Sequence, residues 1–213
     1  RLDGESLREG PVEVRVGAFV YRFDASCFFQ AHAGMLAALL DAAIGPAGCS
    51  TEAAAAAGRS AGEAADLYAG VGLFTLPLAA RYARVHAVES EPVAAAFLAG
   101  NVERNGVANV RVHAARIEER AARLPGGLQR VLVDPPRAGL SPAVRRALLA
   151  LAPRRLTYVS CDVATLARDL RTLAPAYRLE QLTLLDLFPQ TSHLEAVAQL
   201  VAASGRPAAR DRE

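Results

Sequence analysis

Beyond residue 62, short apolar runs alternate with longer segments in which apolar residues recur every three or four positions. The short runs predict buried strands, and the longer segments predict amphipathic helices. The predicted strands are 65–68, 85–88, 110–112, 130–134 and 156–160, and the predicted helices begin at Leu73, Pro92, Ser141 and Val163, with a short one after residue 112. This alternation predicts an α/β fold with a parallel sheet covered by helices on both faces.

The last two apolar runs, 177–187 and 193–201, follow one another without a helix between them. They predict an antiparallel hairpin that closes the sheet. This ending is typical of a class I methyltransferase, whose Rossmann-like sheet is otherwise mostly parallel, whereas a dehydrogenase is expected to continue with further βα units.

The N-terminal third has a different pattern. Residues 11–29 alternate apolar and polar positions and are rich in Val, Phe and Tyr, which predicts a short β-rich segment. Residues 33–44 have a helical pattern, and the stretch 47–62 reads as a linker or a loosely held helix. We therefore expect three parts: the end of a preceding β-rich central domain (1–30), a connecting helix and linker (31–62), and a methyltransferase domain (63–213).

Composition supports a folded, soluble protein. Of the 213 residues, 52% are hydrophobic, which is enough for a buried core and argues against disorder. No run approaches the roughly 18 consecutive apolar residues of a membrane span, and no signal-peptide pattern is present. We expect a cytoplasmic location without membrane contact, and a monomer. Because the chain begins with Arg1 rather than Met, we expect it to be part of a longer protein.

Charge and cysteine content add little. The net charge is +2, and all 24 basic residues are Arg, which biased composition explains more simply than nucleic-acid binding. The three cysteines, Cys27, Cys49 and Cys161, are spaced too irregularly for a disulfide framework or a CxxC metal site. A reducing compartment and no metal within this chain are expected.

A candidate cofactor site lies where the first predicted strand of the α/β part meets its helix. Gly70 and Gly72 allow close approach of a ligand to the backbone, although a plain tight turn is equally consistent with them alone. Glu89 ends the next strand, about 20 residues later, where a carboxylate can accept hydrogen bonds from ribose hydroxyls. The alternative for Glu89 is a solvated carboxylate. The spacing is not GxGxxG and no second mononucleotide-binding half follows, which favours S-adenosylmethionine over NAD.

Two further candidates follow later strands. Asp134 and Arg137 flank two prolines at the end of the apolar run RVLV, beside the same crevice, with a rigid helix-capping turn as the alternative. Cys161 ends the run LTYVS just before a helix, whose N-terminal dipole is expected to lower the thiol pKa. By itself such a cysteine is more often a small buried hydrophobe. A thiol nucleophile needs a separate base, for which Glu195 is the candidate. By themselves, however, Glu195 is more often an exposed strand residue and His193 a surface histidine.

Eight motifs occur in a fixed order: FFQ from Phe28, DLYAGVGLFTLPLA from Asp66, VHAVE ending at Glu89, NVERNG from Asn101, DPPRAGL from Asp134, YVSCD from Tyr158, TLARDL from Thr165 and DLFPQTSHLEAV from Asp186. Together they resemble the RNA uracil-C5 methyltransferases that act on tRNA or ribosomal RNA. The resemblance spans nearly the whole chain.

The resemblance implies a function for each candidate. Cys161 corresponds to the nucleophile and Glu195 to the proton-abstracting base. Arg137 corresponds to an arginine beside the target base. S-adenosylmethionine is the implied cofactor and RNA the implied partner. The implied cofactor contacts come from Gln30, Tyr68, Glu89 and Asp134, with Gly70 and Gly72 shaping the loop.

The chain departs from the family pattern at His32, Leu73 and the pair Asp162-Val163, where the family commonly has Asn, Asn and Asn-Pro. Leu73 removes a possible polar cofactor contact, and Asp162 adds a carboxylate beside the nucleophile. Members of the family tend to carry an N-terminal RNA-binding barrel, and some hold an iron–sulfur cluster; we expect any such part upstream of Arg1. A non-covalent methyltransferase of a small molecule or nucleobase nitrogen, and a decayed RNA-binding module, stay open as alternatives.

Overall fold

The computed structural model describes residues 10–30, 32–45, 60–187, 191 and 194–203. The strands are β1 (Val12–Val16), β2 (Phe19–Phe23), β3 (Ser60–Leu67), β4 (Tyr82–Glu89), β5 (Val110–Ala114), β6 (Arg130–Val133), β7 (Arg155–Ser160), β8 (Tyr177–Leu185) and β9 (Glu195–Ala202). The helices are α1 (Leu36–Ile44), α2 (Thr75–Arg81), α3 (Pro92–Arg104), α4 (Ile117–Ala121), α5 (Pro142–Leu151) and α6 (Val163–Leu173), and a 3₁₀ turn (Ala33–Met35) precedes α1. Within these ranges no helix is long and apolar enough to cross a membrane.

Seven strands form one sheet in the order β5-β4-β3-β6-β7-β9-β8. The five strands from β5 to β7 are parallel, β9 runs antiparallel to β7, and β8 runs antiparallel to β9. The predicted α/β class, with a mostly parallel sheet and an antiparallel C-terminal hairpin, is confirmed. β1 and β2 form a separate antiparallel pair, as the N-terminal pattern predicts.

Each face of the large sheet has its own apolar core. One core joins the sheet to α4, α5 and α6, with Val88, Leu148 and Leu166 among its members. The other joins it to α1, α2 and the β1-β2 pair, with Leu40 and Leu132 among its members. All four residues of β6 are buried, which explains why this central strand is apolar without alternation.

The β1-β2 pair is attached to α3 by asparagine side chains. Asn105 accepts a hydrogen bond from the Val20 amide (2.9 Å) and donates to the Val20 carbonyl (2.7 Å). Asn101, one helical turn earlier, makes the same pair of bonds with Arg22 (2.8 and 3.0 Å). Two amides spaced i, i+4 on one helix face therefore act like a neighbouring strand for the free edge of β2.

The C-terminal end of α1 is fixed to the sheet by polar side chains. Gln199 donates to the carbonyls of Ala42 (2.6 Å) and Ala43 (2.9 Å), and Thr157 donates to Ala43 (3.2 Å). These bonds satisfy carbonyl groups that have no partner within the helix.

Most of the predicted linker, residues 46–59, lies outside the described residues. The linker prediction is wrong for residues 60–62, because β3 begins at Ser60. The division into three domains stays a prediction.

Candidate active site

The glycine-containing loop after β3 is held by the end of β4. The Gly70 amide donates to Glu89 Oε2 at 2.8 Å, and the other carboxylate oxygen accepts from the Glu91 amide at 2.7 Å. Glu89 is buried, with 8% of its surface exposed, so it is not the solvated carboxylate of the alternative interpretation. Its position beside the loop is the one that a cofactor-binding acid requires.

Three residues of this loop have left-handed backbone conformations: Tyr68 (φ 64°), Gly70 (φ 54°) and Gly72 (φ 101°). A Cβ on Gly70 would meet none of the described residues within 4 Å, whereas one on Gly72 would lie 2.7 Å from Leu98 Cδ1. Gly70 thus borders open space, and Gly72 allows the loop to pack on α3. The conformation of Tyr68 is costly for a residue with a side chain, and such costs cluster at functional sites.

Asp66 belongs to this site, although the sequence reasoning did not single it out. It is fully buried, and its Oδ2 accepts a hydrogen bond from Thr75 Oγ1 at 2.6 Å. Its Oδ1 has no protein partner among the described residues. Burial raises the pKa of Asp66 to about 7, and the charges of Asp134 and Glu89 add to this. The sequence did contain an indication of this residue. A charged carboxylate at the end of a buried strand is costly unless it has a partner or a function, which is the argument that selected Asp134.

Gln30 lies apart from the glycine loop in the chain, after β2. Its side chain is 6% exposed, and its Oε1 has no hydrogen-bond partner in the part of the chain that the structure describes. Phe29, beside it, stacks on Phe23 with ring centroids 4.3 Å apart, which fixes this segment to the hairpin. A buried amide oxygen that has no partner among the described residues can accept a hydrogen bond from a bound ligand.

The reacting end is assembled by strand register. β7 and β9 pair antiparallel with Ser160 opposite Ala196, so Cys161 and Glu195 both lie at the edge of the sheet where the parallel strands end. Asp134 follows β6, the strand on the other side of β7. The structure therefore brings the predicted nucleophile and base together with Asp134 and the exposed Arg137, and each of these charges acts on the thiol.

Burial controls the protonation of this group. It raises the pKa of Glu195, which is 2% exposed, to about 8, with a further contribution from the charge of Asp134. It also raises the pKa of Asp134 to about 7. The pKa of the Cys161 thiol is raised by burial and by Glu195, and the Arg137 guanidinium opposes that rise. The expected lowering of this thiol pKa is therefore wrong, because desolvation and the neighbouring carboxyls raise it.

Two of the departures from the family pattern have structural uses. Asp162 caps α6, accepting a hydrogen bond from the Thr165 amide at 2.8 Å, and this bond lowers the pKa of Asp162. Leu73 packs in the core with 7% exposure, and its carbonyl accepts from Tyr21 OH at 3.1 Å. Leu73 therefore belongs to the core, and Asp162 is a carboxylate beside Cys161 that also caps the helix. His193, the candidate surface histidine, lies outside the described residues.

Comparison with known families and proteins identifies the family of the chain. The pattern of the tRNA (Uracil-5-)-methyltransferase family matches residues 2–202. The chain belongs to this family. It is 47% identical over 136 residues to the 23S rRNA (uracil(1939)-C(5))-methyltransferase RlmD of Klebsiella pneumoniae, a match that covers 62% of this chain and 31% of that protein. The Pseudomonas aeruginosa protein of the same name is 44% identical over 137 residues, covering 62% and 30%.

Solved structures agree with the fold of this uracil-5-methyltransferase family member. The Pyrococcus abyssi tRNA (uracil-54, C5)-methyltransferase, in complex with S-adenosyl-L-homocysteine, has a TM-score of 0.73 and 31% identity, covering 90% of this chain and 44% of its own. The chain spans about a third of the length of the curated relatives it matches.

Proposed function

We propose that this chain is the catalytic part of an enzyme that methylates carbon 5 of a uridine in RNA, using S-adenosylmethionine and a covalent adduct on Cys161. The observation that carries the proposal is the grouping of Cys161, Glu195, Asp134 and Arg137 at one edge of the sheet. Family membership and the printed activities of the relatives support uridine carbon 5 as the target. The relatives named in the comparisons act on uridine in ribosomal RNA or in tRNA, so the proposal includes both classes of RNA.

The crevice suits a cofactor that carries an ammonium and a sulfonium. Glu89 and Asp134 lie close enough to Asp66 for their charges to raise its pKa. Among the described residues, Asp66 Oδ1 and Gln30 Oε1 are buried acceptors without partners, and Gly70 borders open space. Acceptors and negative charge favour a cationic ligand, because each would otherwise stay uncompensated. S-adenosylmethionine supplies an electrophilic methyl group; Gln30, Tyr68, Asp66, Glu89 and Asp134 would hold it.

Cys161 supplies the nucleophile that uracil chemistry requires. Carbon 5 of uracil is too weak a nucleophile to take a methyl group unaided. Attack of Cys161 Sγ on carbon 6 forms a sulfur–carbon bond and moves the double-bond electrons to the carbon 4 oxygen, giving an enolate that is nucleophilic at carbon 5. The target base must be out of the stack for the thiolate to reach it. Arg137, exposed beside the thiol, favours the thiolate form.

Glu195 completes the reaction as the base. Once carbon 5 carries the methyl group, Glu195 removes the proton that is still bound to carbon 5. The electrons of the broken carbon–hydrogen bond restore the double bond, the sulfur–carbon bond breaks, and Cys161 is released as thiolate. Burial suits Glu195 to this step, because a carboxylate whose pKa is raised to about 8 is a stronger base than a solvated one.

The test is RNA that contains 5-fluorouridine. Fluorine at carbon 5 cannot be removed as a proton, so the adduct formed after methyl transfer persists. We expect the full-length protein, with S-adenosylmethionine, to form a complex with this RNA that survives denaturing gel electrophoresis. Cys161→Ala should abolish it, and Cys27→Ala, the matched control at the other described free cysteine, should not.

Ribosomal RNA and tRNA are tested separately, each with labelled cofactor, to identify the substrate. Methyl transfer to uridine carbon 5 at an undiminished rate in Cys161→Ala would rule out the covalent mechanism. Transfer to a nucleobase nitrogen or to a small molecule would rule out the proposed target.

A further inference from the structure

Asp169, on the inward face of α6, is a fully buried carboxylate with a full set of donors. Its Oδ2 accepts from the Leu140 amide and from Tyr158 OH, both at 2.8 Å. Its Oδ1 accepts from Arg145 Nη1 at 2.6 Å and from Arg168 Nε at 2.9 Å. Burial alone raises the pKa of a carboxyl, but these hydrogen bonds outweigh it, and the pKa of Asp169 is lowered. Asp169 is therefore charged although it is buried, and we call its carboxylate together with these four donors the hub.

One set of contacts ties this hub to the loop that follows β6. This loop, 134–141, carries Asp134 and Arg137. Besides the bond from the Leu140 amide, Arg168 Nη2 donates to the Ala138 carbonyl at 2.9 Å. A Cβ on Gly139 would lie 2.6 Å from Asp169 Oδ2, so the loop lies directly on the carboxylate. The residue at this point must be glycine for so close an approach.

A second set ties the hub to the strand that carries the nucleophile. Tyr158 lies in β7, three residues before Cys161, and its hydroxyl is fixed by Asp169. Asp162, immediately after Cys161, caps the same helix that carries Asp169. The loop that carries Arg137 and the strand end that carries Cys161 are thus both connected to Asp169 or to the helix that carries it.

We infer that Asp169 is a positioning residue that holds the Arg137 guanidinium beside the Cys161 thiol and so controls the reactivity of the thiol. The inference rests on the proposed function, because it takes Cys161 to be the nucleophile. It also explains why a carboxylate occupies this interior position, where apolar packing would hold the helix as well.

The test measures alkylation of Cys161 by iodoacetamide across pH in the full-length protein, with the modified peptide quantified by mass spectrometry. Neither RNA nor cofactor is needed, so the result is independent of whether uridine is the substrate. In Asp169→Asn we expect the rate–pH profile to move up by about one pH unit, a roughly tenfold slower reaction at neutral pH. In activity assays, kcat should fall about ten- to a hundredfold with a smaller change in KM.

A double-mutant cycle separates positioning from simple stability. If Asp169 acts through Arg137, then Asp169→Asn has no further effect on alkylation in an Arg137→Ala background. Equal effects in both backgrounds would overturn the inference. Asn109→Ala is the matched control: it loses hydrogen bonds to Ala79 and Tyr82 away from this loop, and should lower the melting temperature without moving the profile.

Arg168→Met covers the case in which Asp169→Asn does not fold. The Arg168 side chain is 45% exposed, so this variant should fold while losing the ties to Asp169 and Ala138. We expect a smaller shift of the alkylation profile in the same direction. An unchanged profile in Arg168→Met, or in a folded Asp169→Asn, would mean that the hub has a structural role alone.

Discussion

The two ends of the crevice are built differently. The central part of the cofactor end consists of Asp66, the glycine loop and Glu89 from one strand–loop–helix–strand unit, and main-chain amides hydrogen-bond to Glu89 there. Gln30 and Asp134 complete this end from other parts of the chain.

The reacting end takes Asp134, Cys161 and Glu195 from the ends of three separate strands. The buried hydrogen bonds of Asp169 hold the loop after β6 and the strand β7 in place. The central part of the cofactor end is a local structure. The reacting end exists only when the sheet is complete.

This difference predicts how each end fails. A change at the cofactor end should affect affinity for the cofactor and local strain, because its central parts are neighbours in the chain. A change at the reacting end should affect protonation and rate, because buried carboxyls there influence one another and the thiol.

The largest effect is expected for Glu195→Gln. Without the base, the methylated adduct cannot lose its carbon 5 proton, so turnover to free 5-methyluridine RNA should slow about a hundredfold to ten-thousandfold. Removing a nearby carboxylate that raises the Cys161 pKa should move thiol alkylation to lower pH. The variant should therefore react faster with iodoacetamide yet accumulate a covalent adduct with ordinary uridine RNA, seen on denaturing gels. An alkylation profile that moves to higher pH would contradict this electrostatic coupling.

Local sequence reasoning predicted the central part of the cofactor end, although it missed Asp66 and gave Gln30 only through the family resemblance. A strand, a glycine turn and an acid about 20 residues later lie within reach of local reasoning. Glu195 required the family resemblance, because only the insertion of β9 beside β7 brings it to Cys161. The raised thiol pKa could not be foreseen, since desolvation depends on what packs around Cys161. Asp169 gave no local signal either, as its four donors come from positions 140 to 168.

The two loop glycines provide a matched pair at the cofactor end. Both have positive φ, but an added methyl group meets Leu98 at Gly72 and open space at Gly70. Gly72→Ala should destabilise the protein by about 2–4 kcal/mol, through overpacking and backbone strain. Gly70→Ala should cost only about 1 kcal/mol yet weaken S-adenosylmethionine binding at least about tenfold. Denaturant titration and calorimetry measure the two effects. Equal destabilisation with equal affinities would show that the space beside Gly70 is not used.

The reacting end should also make stability depend on pH. A carboxyl whose pKa rises on folding binds more protons in the folded state, so its contribution is present below its unfolded pKa and is lost as pH rises through the folded value. For Glu195 the loss extends to about pH 8. His113, whose pKa falls to about 4 by burial, has the opposite slope below about pH 6.5.

The window from pH 6.5 to 8 therefore isolates the carboxyls. There the free energy of unfolding of the ligand-free protein should fall by at most about 1.4 kcal/mol per pH unit for each such group. Glu195→Gln should flatten this slope, whereas Glu119→Gln, exposed on α4, should leave it as it is. Urea denaturation at several pH values gives the slopes; equal slopes in the two variants would contradict the raised pKa of Glu195.

The smallest difference is expected between Asn101→Ala and Asn105→Ala. Each loses a pair of bonds to β2, so each should cost about 1–3 kcal/mol in the free energy of unfolding. Only Asn101 also donates to the Val71 carbonyl in the glycine loop, at 2.9 Å. Asn101→Ala should therefore weaken S-adenosylmethionine binding by a further factor of about five, on the scale of one hydrogen bond. If calorimetry finds the same affinity in both variants, the hydrogen bond from Asn101 to Val71 contributes nothing to cofactor binding, and the cofactor end is even more local than its contacts indicate.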